Sequence, residues 1–153
     1  MVAAPPGYAA GLRSYAHEAA KQVGYFLDHA KRVPIRSSQQ GEAVAAIRAL
    51  HNSAKQYANA TVSGHWPRPD WLRYCSENLL DAWIRVDQTF PMLEAPPPVL
   101  DWWSRAQGAL VALYNAAAPY MGKPAGGPLP VALGGGGTVR DARPVVRGEP
   151  VVR

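Results

Sequence analysis

One cysteine, Cys75, stands in a chain of 153 residues. It excludes an internal disulfide, and the lack of a second thiol leaves no cysteine-rich metal cluster. Aromatic residues are absent after Tyr120, although five Trp, seven Tyr and two Phe lie between Tyr8 and that point. The last 33 residues therefore have little with which to build a core. A membrane-length hydrophobic run is also missing. The longest uncharged stretch, Ala106 to Gly122, is interrupted by Gln107, Asn115 and Pro119, and falls short of the roughly 20 apolar residues a span requires. Met1-Val2-Ala3-Ala4-Pro5-Pro6 has no basic segment leading into an apolar one, so no signal peptide is expected. A soluble protein is expected, cytoplasmic or part of a virus particle, with no membrane partner.

Catalytic and metal-binding patterns are equally scarce. His17, His29, His51 and His65 have no second His or Glu three or four residues away, the spacing that would place two ligands on one helix face. Cys75 falls among apolar helix positions and reads as a small buried hydrophobe rather than a nucleophile. Gly134 to Gly137 lack the following Lys-Ser or Lys-Thr of a phosphate-binding loop. Lys31, Arg32 and Arg36 could meet phosphates, but the first two suit a helix end without any ligand. No catalytic, cofactor-binding or metal-binding residue is assigned, and no enzyme is expected.

What is present is helical periodicity. Leu12, Ala16, Ala19, Val23, Phe26, Ala30 and Val33 recur at alternating spacings of four and three, the seam of a helix that Pro34 stops. Lys31 and Arg32 are expected in its last turn. Ser37 and Gln40 have capping-box spacing and open a second seam, Ala43, Ile47, Leu50, Ala54, Tyr57 and Thr61. His65-Trp66-Pro67-Arg68-Pro69 reads as a stiff connector. Pro69 and Asp70 suit the first turn of a third helix, with Leu72, Cys75, Leu79, Trp83, Val86 and Phe90 inward. Arg73, Glu77, Asp81 and Arg85, each four apart, mark its solvated stripe. Pro96-Pro97-Pro98 launches a fourth helix with Trp103, Ala106, Leu110, Leu113, Ala117 and Met121 inward. After Arg105 this helix has no charge until Lys123, so it is either central or carries a second apolar face for a partner.

Composition changes abruptly at Gly122, and eight of the 14 glycines lie from there onward. The expected organisation is an all-α, antiparallel four-helix bundle-like domain over 8–121, a Gly/Pro-rich linker over 122–137 and an extended basic C-terminal arm over 138–153. The net charge is +5, of which residues 123–153 hold five basic residues against Asp141 and Glu149. The body is thus only weakly basic, which counts against a nucleic-acid surface on the folded part. Within the arm Pro144-Val145-Val146-Arg147 recurs as Pro150-Val151-Val152-Arg153. Proline beside β-branched valine favours extended chain that can join a neighbour's sheet edge or groove.

The candidate partner-binding residues are Trp66 and Trp102, which lie off the helix seams, and Arg140, Arg143, Val145, Val146, Arg147, Val151, Val152 and Arg153 of the arm. Trp71 and Trp103 are expected in the core. A helical bundle with a long terminal arm is similar in plan to head-to-tail connector and other minor virion proteins of tailed phages, where arms tie subunits into rings. The expected function is that of a non-enzymatic structural protein, a helical subunit tied by its arm to copies of itself or to other subunits of an assembly. The alternative is a small adaptor or regulatory module binding an acidic protein or nucleic acid through the arm's arginines.

Overall fold

The computed structural model describes residues 6–62 and 68–121. They form four helices, α1 (Pro6–Ala30), α2 (Ser38–Ala60), α3 (Pro69–Thr89) and α4 (Pro97–Ala117), with 3-10 turns at Phe90–Leu93 and Ala118–Met121. The helices run antiparallel, and close packing joins α4 to α1, α1 to α2, and α2 to α3. Their lateral order is therefore α4, α1, α2, α3. The backbones of the outer helices α3 and α4 stay apart along their length, with side chains of both filling the space between them, and each end of that space is bridged. Phe90 meets Trp103 at one end, with ring centroids 5.8 Å apart, and the turn Ala118–Met121 packs on α3 at the other.

Each seam read from spacing is inward at its described side chains, with that of Met121 lying outside them. Leu12, Ala16, Ala19, Val23 and Phe26 of α1 meet Ile47, Leu50, Ala54 and Tyr57 of α2, while Leu72, Trp83 and Val86 of α3 and Trp103, Leu110 and Leu113 of α4 complete one core. Burying each large apolar side chain contributes about 1.5–3 kcal/mol. Where α3 ends, Phe26, Phe90 and Trp103 form an aromatic trio. Phe26 stacks on Trp103 at 4.9 Å and meets Phe90 edge-on at 5.5 Å.

Local chemistry sets the helix ends. Ser37 is extended, with φ −149° and ψ 160°, and its Oγ accepts from the Gln40 N–H at 3.1 Å. Gln40 reaches back to the Arg36 N–H rather than to that of Ser37, so the capping box is closed one residue further out. Pro69 opens α3 and Asp70 lies in its first turn. Glu94, the one described non-glycine residue at positive φ (54°), ends the turn after α3, its N–H donating to the Pro91 carbonyl.

Two expectations are corrected at this level. α1 ends at Ala30, so Lys31 and Arg32 lie in the following turn, where the N–H groups of Arg32 and Val33 bond back to His29 and Ala30. Pro34 disfavours helical geometry at Val33, and the chain leaves the helix before reaching it. Phe90 belongs to a 3-10 turn rather than to α3, because the Pro91 ring restricts the residue before it in the same way. Val33 and Phe90 both remain buried, while Lys31 and Arg32 are exposed.

Candidate interaction surface

Trp102 lies half-buried on the α1 side of α4. His29 stacks on it at 4.9 Å and 25°, Tyr25 tilts against it at 5.3 Å, and the Arg105 guanidinium lies 4.7 Å from its ring centroid. Arg105 is held in turn by Asp101 at 3.1 Å. His29 Nδ1 bonds to the Tyr25 carbonyl at 2.8 Å, which fixes the imidazole against the indole. The off-seam position that singled out Trp102 thus has a local use, fastening α4 to α1 through cation–π and aromatic contacts.

The opposite flank of α4 faces outward. Leu100, Ser104 and Gly108 are exposed, Val111, Ala112 and Asn115 are half-exposed, and a Cβ added at Gly108 would meet nothing within 4 Å. Of the two explanations for a charge-poor fourth helix, a central position is disfavoured, since α1 is the one helix against which α4 packs closely along its length.

Between α3 and α4 is a slot lined by Tyr57, Ser76, Leu79, Leu80, Trp83, Leu110, Leu113 and Tyr114. Its enclosed part measures only about 10 Å³, while the whole slot, including its open mouth, is about 260 Å³. Three buried polar atoms on the facing flanks have no hydrogen-bond partner among the described residues: Trp83 Nε1, Asp87 Oδ1 and Gln107 Oε1. Asp87 is one turn beyond Trp83 on α3, and Gln107 is about one turn before Leu110 on α4. Antiparallel packing therefore brings both to the same level, just below the Phe90–Trp103 contact. Charge and amide groups here did not stand out in the sequence, because each interrupts an apolar seam only at its flank.

Burial pushes the Asp87 carboxyl up from its ordinary 3.8 to about 6. The folded chain holds this proton more tightly than the unfolded chain, so its stabilising contribution is full below pH 3.8 and is lost as pH rises through 6. Asp87→Asn removes the buried charge. With allowance for screening at a partly exposed site, the variant should be more stable by about 1–2 kcal/mol at pH 7.5. Urea unfolding at pH 7.5 and pH 4 checks this, since the gain should fade at the lower pH.

The other titratable candidates have structural surroundings. His17 Nδ1 bonds to the Arg13 carbonyl at 2.9 Å. His51 fills the α1–α2 crossing, its Nε2 only 3.0 Å from where a Cβ on Gly24 would stand. Burial, then Lys55, lowers its pKa, with Lys31 acting in the same direction and Asp28 opposing. Cys75 is buried, and loss of solvent raises its pKa. Among the described residues no three His, Cys, Asp or Glu side chains are grouped to hold a metal ion, and no helix is long and apolar enough to cross a membrane.

Trp103 is buried as expected, but Trp71 is not: it is 40% exposed and stacks on Tyr74, itself 49% exposed, at 5.6 Å. Leu72 takes the inward position of α3, so its neighbour is turned about 100° away. Of the partner-binding candidates only Trp102 is described. Trp66, Arg140, Arg143, Val145, Val146, Arg147, Val151, Val152 and Arg153 lie outside the described residues. No family model matches the chain, and neither the curated proteins nor the solved structures contain a match to it.

Proposed function

We propose that this protein is a non-enzymatic structural or interaction protein, a helical subunit of a larger assembly tied to a neighbour by its C-terminal segment. The observation that carries this reading is the outward flank of α4. A helix at the end of a row is expected to turn charge to water, and α4 does so at the Asp101–Arg105 pair, but past that turn its outward side carries only Gly108, Val111, Ala112 and Asn115. An uncharged stretch of small residues suits close approach by a second protein surface. Residues 138–153 add four arginines and the doubled Pro-Val-Val-Arg, a composition suited to an extended tie with charge-assisted contacts at its ends. A virion connector or minor structural protein is one assembly of this plan.

Light scattering after size exclusion tests the reading on the full chain and on a chain ending at Gly137. The full chain should have the mass of a defined oligomer at micromolar concentration, and the shortened chain should fall to a smaller species. A monomeric full chain across the accessible concentrations would refute self-assembly. Binding to nucleic acid that weakens steeply with salt, and is lost with residues 138–153, would favour the adaptor alternative instead.

A further inference from the structure

We draw no further inference here: the strongest candidate, the exposed and mutually stacked pair Trp71 and Tyr74 at the start of α3, is an aromatic surface patch for which nothing in the structure shows what covers it.

Discussion

Phe26→Ala should lower the stability of the folded chain by about 3–5 kcal/mol, the range for removing a large aromatic from a closed core. Phe26 has no exposed surface and holds together the two ends of the helix row. It belongs to α1, yet it stacks on Trp103 of α4 and meets Phe90 beyond α3 edge-on. The cavity left by alanine cannot collapse easily, because Phe90 and Trp103 are braced by proline-bounded segments on either side. Aromatic pairs of this geometry add about 0.5–1.5 kcal/mol beyond area burial, which places the expected loss toward the upper end. Urea unfolding followed by far-ultraviolet dichroism measures it. A loss below about 1 kcal/mol would mean that the trio is not part of the cooperative core.

The helices were legible because the chain punctuates them strongly. Spacings of three and four gave each inward seam, and Ser37, Pro69 and the prolines at 96–98 marked three starts. The Ser37–Gln40 pair was visible for the same reason, since a cap is a local device whose partners are fixed by spacing. Lateral order was not legible. Nothing in the period of α3 or α4 says that each packs mainly on its chain neighbour or on α1, and the slot between them follows only from that order. Trp71 shows a second limit: size and hydrophobicity favoured burial, but the register set by Leu72, Cys75 and Leu79 turned it outward. Trp102 shows a third. Its off-seam position was readable, but the His29 and Arg105 contacts that occupy its faces depend on how α1 and α4 meet.

Gln40→Ala is expected to cost about 2–4 kcal/mol, more than the roughly 1 kcal/mol typical of losing a single helix cap. The side chain is 8% exposed and serves both connections at one end of the bundle. Its Oε1 accepts from the Arg36 N–H between α1 and α2, and its Nε2 donates at 3.2 Å to the Leu93 carbonyl between α3 and α4. Alanine strands both backbone groups, and the Leu93 carbonyl belongs to a residue with no exposed surface. Ser37→Ala removes only the Oγ acceptor for the Gln40 N–H, so it should fall near the ordinary cap value and provide the reference. Gln40→Glu separates the two contributions. A carboxylate can still accept from Arg36 but, when ionised, cannot donate to Leu93, so above pH 6 this variant should remain destabilised despite preserving the cap. Equal stability of the Glu variant and the parent would mean that the bond to Leu93 contributes nothing. A deficit close to that of the alanine variant would show that one glutamine fastens the α3–α4 connection to the start of α2.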